Sequence, residues 1–221
     1  MPKVKQKAYA VLMLAINYYS AVYVIVGVTA VCFLVSTFLP LIVFILSWLY
    51  LVPPVLCRLV ISIFGRPVGI VGLQTGAFMY WWFLTQLQII YVRFPLLEEL
   101  LRIFPGLYSL WLNLWGGNVS LLTYWAPGVT VTDYYHINIG KGAVIGGGCR
   151  IGGHVFTLDK DGSQRLIVAP LTIEDNSLIG LNAAVGPGSH VHANETIPAG
   201  KMLKPFHSWK NGKVQRPAAN I

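Results

Sequence analysis

Between Ile139 and Leu203 an aliphatic side chain returns every six residues: Ile139, Ile145 and Ile151, then Ile173, Ile179, Val185, Val191, Ile197 and Leu203. The next position is small in most units (Gly140, Gly146, Gly152, Gly180, Gly186). So is the position four after the aliphatic one (Ala143, Cys149, Ser177, Ala183, Ser189). A period of six matches neither the 3.6-residue helix nor the two-residue alternation of a hairpin ladder. It fits a parallel β-helix in which each hexad forms one flat face and three hexads close a coil. The aliphatic side chain then points into a narrow prism and stacks on its counterpart one coil on. Glycine serves the tight corners, where positive φ or close backbone approach is needed. The step from Ile151 to Ile173 is 22 residues, four more than a coil, so TLDKDGSQRL (157–166), with its Asp-Gly turn, is expected to protrude as a loop.

The rest of the chain is of another kind. Of its 221 residues 55% are hydrophobic and 11% charged, about half the charged share of an ordinary soluble domain. Residues 1–132 hold two of the eight acids, Glu98 and Glu99, and six of the seven tryptophans. Disordered chains, coiled coils and disulfide-stapled scaffolds are excluded. The net charge of +8 divides into about +5 before residue 133 and +3 after it. That is too thinly spread for a nucleic-acid footprint, which needs a dense basic stripe. Cys32, Cys57 and Cys149 form no metal or redox spacing and read as buried thiols in a reducing environment.

From Ala8 to Cys57 there is no Asp, Glu, Lys or Arg. About 20 residues cross a hydrocarbon core, so this window can hold two spans, with the break expected near Ser36–Pro40. It is too long for a cleavable signal peptide. Lys3, Lys5 and Lys7 before it and Arg58 and Arg66 after it place both flanks in the cytoplasm by charge bias. Residues 1–66 are thus expected to form a transmembrane helical hairpin in the inner (cytoplasmic) membrane. Residues 78–115, aromatic-rich and broken by Pro95 and Pro105, suggest helices lying at the membrane interface; the alternative is a short third crossing through 77–92. Interfacial helices and linker then occupy 67–118, the β-helix 119–205 and a tail 206–221.

With these motifs in place, the hexads, the loop IGGHVFTLDKDG and the run IEDNSLIGLNAAVGPGS resemble left-handed β-helix (hexapeptide-repeat) acyltransferases. LWGGNVSLLTYWAPGVTVTDYYHINIGKGAVIGGG is similar to membrane-anchored members of that superfamily and to the terminal membrane region of some non-ribosomal peptide synthetases. The resemblance covers about residues 107–213. The apolar hairpin is a departure from the soluble acetyltransferases. The resemblance implies a left-handed coil, a homotrimer, and a histidine at a coil–loop junction acting as base in a cleft between subunits. It also implies acyl-CoA or acyl carrier protein as the thioester donor.

Acyl transfer needs a base of near-neutral pKa and donors for the oxyanion. His154 ends the Gly152–Gly153–His154 corner beside the loop and is the first candidate. Asp159 or Asp161 can orient its ring, or simply form an Asp-Gly turn. Glycine amides at 146–148 or 152–153 are either oxyanion donors or corners. His136, where the prism is expected to begin, is the second candidate base, with a junction side chain as the alternative. His190 and His192 alternate outward on one face. A zinc site joining His154 to His190 is out of register, and no metal is expected. Lys201 and Lys204 in the basic C-terminal segment can contact a phosphate-bearing donor, or rest on the membrane. Asn182 can bond a pantetheine amide, or serve a corner. Cys149 faces inward, so no acyl-enzyme is expected, and no glycine-rich phosphate loop is present. The expected function is a membrane-bound acyltransferase acting on a hydroxyl or amine of a lipid-like acceptor. The alternative is a non-catalytic membrane-tethered scaffold for a partner enzyme.

Overall fold

The computed structural model describes residues 3–34, 38–159 and 161–216. Among the described residues seven helices precede the repeat: α1 (Lys3–Asn17), α2 (Tyr19–Leu34), α3 (Phe38–Tyr50), α4 (Val52–Phe64), α5 (Gly76–Arg93), α6 (Leu96–Arg102) and α7 (Leu107–Leu114), with strand β1 (Gly69–Gly72) before α5. Among the described residues one helical stretch, Phe38–Phe64, is long and apolar enough to cross a membrane. Lys5–Asn17 and Tyr19–Phe33, bent by 41°, pass the same test together. Only 11% of the apolar stretch is buried, and α3 has no buried residue at all. Ser36 and Thr37 of the expected break lie outside the described residues; Phe38–Pro40 form the first turn of α3. Cys32, expected to be buried, is exposed on α2.

Pro53 and Pro54 explain how α4 is tied down. Neither has an N–H, so the carbonyls of Leu49 and Tyr50, four residues back, lose their helical donors. The Tyr91 hydroxyl of α5 donates to Leu49 O, and the Trp111 indole of α7 donates to Tyr50 O at 3.0 Å. The flanking arginines are engaged as well. Arg58 donates to Asn113 O at 3.0 Å and Arg66 to Gly116 O at 2.7 Å, completing the C-terminal end of α7.

The aromatic segment 78–115 was expected among lipid headgroups, but much of it is core. Trp81, Tyr91, Tyr108, Trp111 and Trp115 are buried. Tyr91, Tyr108, Trp111 and Trp115 pack with Cys57 of α4 against the first coil of the prism, at Val119 and Tyr134, while Trp81 packs with Phe78 against Leu166 and Val168; aromatic rings cover the largest area per residue. A buried polar network locks this layer. Glu98 accepts from Arg102 (2.6 Å), Tyr108 (2.7 Å) and Tyr134 (2.5 Å), while Glu99 accepts from Arg102 (2.6 Å) and from the Gly128 amide (2.9 Å).

The repeat builds the strands β2 (Asn118–Val119), β3 (Tyr124–Trp125), β4 (Thr130–Thr132), β5 (Ile137–Ile139), β6 (Val144–Ile145), β7 (Arg150–Gly152), β8 (His154–Leu158), β9 (Gln164–Val168), β10 (Leu171–Ile173), β11 (Leu178–Ile179), β12 (Ala184–Val185), β13 (His190–Val191), β14 (Thr196–Ile197), β15 (Met202–Leu203), β16 (Ser208–Lys210) and β17 (Lys213–Gln215). Three parallel ladders form a prism: β2–β5–β10–β13–β16, β3–β6–β11–β14 and β4–β7–β12–β15, with β17 folded back antiparallel on β16. Ile139, Ile173 and Val191 stack along one wall, Ile145, Ile179 and Ile197 along the second, and Ile151, Val185 and Leu203 along the third. All nine are buried, each contributing about 1.5–3 kcal/mol by leaving water.

Three sequence expectations are corrected by the register. Ile151 pairs with Val185, 34 residues on, not with Ile173. A regular coil is 18, as in Thr172↔His190, so the insertion is 16 residues rather than four. It is the antiparallel hairpin β8–β9, which β1 joins as a third strand. Secondly, His136 does not stand where the prism begins: a full coil precedes the regular hexads of Ile139, starting at Asn118, next to the expected bound of 119. Val119 pairs with Ile139 20 residues on, so this first coil carries two extra residues. Thirdly, the C-terminal segment expected to leave the pattern continues it: Trp209 pairs with Val191 in the inward position and is buried.

Candidate active site

The two extra residues of the first coil are taken up in a three-residue 3-10 turn, Tyr134–His136, preceded by Asp133 with φ 53°. The turn is pressed into the helical layer. Tyr134, Tyr135 and His136 are fully buried, and Gln88 of α5 accepts the Tyr134 amide at 3.2 Å. Because Thr132 pairs with Gly152, Asp133 arrives beside Gly153 and His154, where β8 leaves the prism. Gly153 permits the approach: a Cβ there would lie 2.8 Å from His136 Cβ and 2.9 Å from Asp133 Cβ.

His154 Nδ1 meets Asp133 Oδ2 at 2.5 Å. The carboxylate is 1% exposed and the imidazole 21%. Asp133 Oδ1 accepts from the Trp81 indole of α5 at 2.9 Å and from the Tyr135 hydroxyl at 3.3 Å. The Trp81 ring also stands edge-on to His154, 4.8 Å between centroids. Burial by itself raises the Asp133 pKa, but the charge of His154 and the hydrogen bonds from His154 and Trp81 outweigh it, and the carboxyl lies below its ordinary 3.8. Burial by itself lowers His154, but the Asp133 charge and hydrogen bond prevail and hold the imidazole above 6.5. With Nδ1 engaged by a carboxylate, Nε2 is the nitrogen left to take a proton.

His154 stands at one end of a groove of about 290 Å³ that runs along the β4–β7–β12–β15 face. Thr132, Ile151, Val185 and Leu203 are among its lining, and Arg150 and Lys204 add two cations. The arrangement can deprotonate a nucleophile at the His154 end. It can also hold an elongated, anionic co-substrate along the coils.

The other sequence candidates lie elsewhere. Asp159, expected to orient His154, is at the hairpin tip, 3.4 Å from Arg165. Asp161 accepts the Ser163 amide in a surface turn. The orienting carboxylate is Asp133, in the quoted TDYYH segment but not singled out. His136 is wholly buried, with Nε2 2.7 Å from Pro67 O, and burial lowers its pKa despite Asp133. It supports the Gly153 corner and has no access to an acceptor. Asn182 has φ 54° and donates its amide to Gly147 O at 2.9 Å, which makes it a corner residue outside the groove. Lys201 is exposed, 6.0 Å from the Trp209 ring, and does not line the groove; Lys204 does. The amides of Gly146 and Gly148 are occupied by Ile179 O and Pro127 O, as corner bonds. Cys149 is buried, its thiol 3.0 Å from Gly180 O. Arg150 and Trp81 were both missed by sequence reasoning.

No protein-family model and no curated protein matches the chain. Among solved structures it is similar to Entamoeba histolytica serine acetyltransferase 1 in complex with L-cysteine, at 12% identity, 90% of this chain, 75% of that one and a TM-score of 0.20. Serine acetyltransferase isoform 3 from the same organism, in complex with cysteine, gives 16% identity, 98% and 74% coverage and a TM-score of 0.18. At scores of this size neither likeness carries any residue or activity across to this chain.

Proposed function

We propose that the protein is a membrane-bound acyltransferase in which His154 takes a proton from a hydroxyl or amine as that group attacks an acyl thioester. The observation that carries this reading is the His154–Asp133 pair at the end of the groove. A buried carboxylate fixes one imidazole nitrogen and raises the basicity of the other, which is the arrangement general-base catalysis needs near neutral pH. Arg150 and Lys204 favour a donor bearing phosphates, acyl-CoA or acyl carrier protein, with its arm along the groove. Proton transfer to Nε2 forms an imidazolium that Asp133 stabilises. The thiolate leaving group recovers that proton when the tetrahedral intermediate collapses.

The acceptor is lipid-like in this proposal. The uncovered apolar surface of α3 and of Phe38–Phe64 is costly in water and is matched by hydrocarbon. The prism would then face the cytoplasm as a left-handed coil. A second copy in a homotrimer would cover the groove.

The test is product formation by the protein in lipid nanodiscs, supplied with mixed acyl-CoA and acyl carrier protein and extracted cell lipids. Products are read by mass spectrometry. The proposal expects an acylated lipid that disappears in His154→Ala. An unchanged yield in that variant removes His154 as base. Free thiol at background with every donor leaves the scaffold as the better account.

A further inference from the structure

A second cluster of chemistry lies on a different wall of the prism. His190 and His192 flank the inward Val191, so both project outward from β13. The pairing Thr172↔His190 and Ile173↔Val191 sets Glu174, on the coil before, opposite His192. Glu174 Oε1 lies 2.5 Å from His190 Nε2 and 3.9 Å from His192 Nδ1. The two rings are stacked, 4.2 Å between centroids. We propose that Glu174, His190 and His192 form a binding site for a divalent transition-metal cation of the zinc class.

Three arguments support this. The first is size: the three ligand atoms lie within 4.8 Å of one another. A tetrahedral zinc with bonds of about 2.0–2.1 Å holds its ligands about 3.4 Å apart, so side-chain adjustments of about 1.5 Å suffice. The second is chemistry. Two imidazoles and one carboxylate suit zinc, nickel or copper, whereas magnesium and calcium take oxygen ligands. The third is preparation of the carboxylate. Its other oxygen, Oε2, accepts the Ala193 amide at 2.9 Å, which fixes its orientation as a second shell does in metal sites.

All three side chains are part-exposed, so a cation can enter and keep a water-filled position. Gly140 stands on the Glu174 side of the ladder, and the hollow there, about 350 Å³, is lined by Asn138, Gly140, Thr172 and Glu174. Lys210, which follows Trp209 across from His192, opposes a cation, but it is exposed and its charge is solvated. The site belongs to the β2–β5–β10–β13–β16 wall and the His154 groove to the β4–β7–β12–β15 wall. The bound cation therefore staples the coils of β10 and β13 together and takes no part in acyl transfer.

The test uses the whole chain in nanodiscs, freed of any affinity tag and treated with a chelator. Zinc is titrated by calorimetry and cobalt by its visible spectrum. One equivalent is expected, with a tetrahedral cobalt spectrum free of thiolate bands, and affinity at least tenfold weaker in each of His190→Ala, His192→Ala and Glu174→Gln. Zinc should raise the unfolding temperature of the wild type, and magnesium at the same concentration should not. Acyl-transfer turnover should be the same in His190→Ala as in the wild type. Zinc binding of equal affinity in a His190→Ala/His192→Ala double variant, or cobalt with thiolate bands, would overturn the proposal by placing the cation elsewhere.

Discussion

Replacing Asp133 by Asn keeps the shape of the corner and removes its charge. Asp133 accepts from His154, Trp81 and Tyr135, and an amide can accept from at most some of these because one end now donates. If the amide N–H₂ faces His154, Nδ1 must become the acceptor and the proton moves to Nε2, the nitrogen needed as base. A tautomer fixed in the wrong sense costs about 10⁴-fold in serine proteases, and general-base catalysis as a whole contributes about 10²–10⁴-fold. The expected loss in turnover is therefore about 10²–10⁴-fold, or about 3–5 kcal/mol of transition-state stabilisation. The pH profile gives the sign. In the wild type the active, neutral imidazole appears as pH rises through a value above 6.5, because Asp133 outweighs burial. In Asp133→Asn only burial remains, so the rising limb must move below 6.5. Thiol release measures the limb in turnover, and the His154 ring resonances measure it by NMR without substrate. A His154 titration unmoved by Asp133→Asn would refute the electrostatic argument even if activity fell.

Other consequences are open to measurement. Gly153→Ala should push Asp133 away from His154, since a Cβ there would be 2.9 Å from Asp133 Cβ; loss of turnover with the His154 titration shifted down is expected, and wild-type turnover would contradict it. Trp81→Phe removes one donor to Asp133 and should lower turnover more than donor affinity, with the NMR titration of His154 altered; equal kinetics would make Trp81 packing alone. Trp111→Phe orphans the Tyr50 carbonyl freed by Pro54 and should cost about 1–3 kcal/mol in denaturant unfolding. The stability contributed by the Asp133–His154 pair should be complete between about pH 4 and 6.5. It is lost below, as the depressed Asp133 protonates, and above, as pH rises through the raised value of His154. Subtracting the pH–stability curve of Asp133→Asn from that of the wild type should give a bell over this window, and a flat difference would contradict the coupling.

The walls of the prism were legible because Ile139, Ile145 and Ile151 and their successors obey one strict period, each buried side chain demanding the next. The first coil was not, since the two residues added at Tyr134–His136 break the count between Val131 and Ile139. The same break hid Asp133. Its approach to His154 depends on the pairing Thr132↔Gly152, and nothing local marks a residue 21 positions before a histidine as its partner. A count from Ile151 to Ile173 undersizes the hairpin because the two residues lie on different walls. His154 could be chosen from its corner, but Glu174 could not be joined to His190 and His192 without the register of β10 and β13. Trp209 hides the last coil because an aromatic occupies an aliphatic position. The burial of Trp81 and Trp111 is not legible in the sequence because tryptophan suits a membrane interface and a core alike.

The central claim is that His154 and Asp133 act as one catalytic unit, and a double-variant cycle tests it most directly. Acyl-transfer rates would be measured in nanodiscs for the wild type, His154→Ala, Asp133→Asn and the double variant, each checked for fold by circular dichroism. The account predicts a fall of about 10²–10⁴-fold in His154→Ala and no further fall in the double variant, because groups acting as a unit are non-additive. A His154→Ala rate close to wild type, or losses that multiply in the double variant, would contradict it.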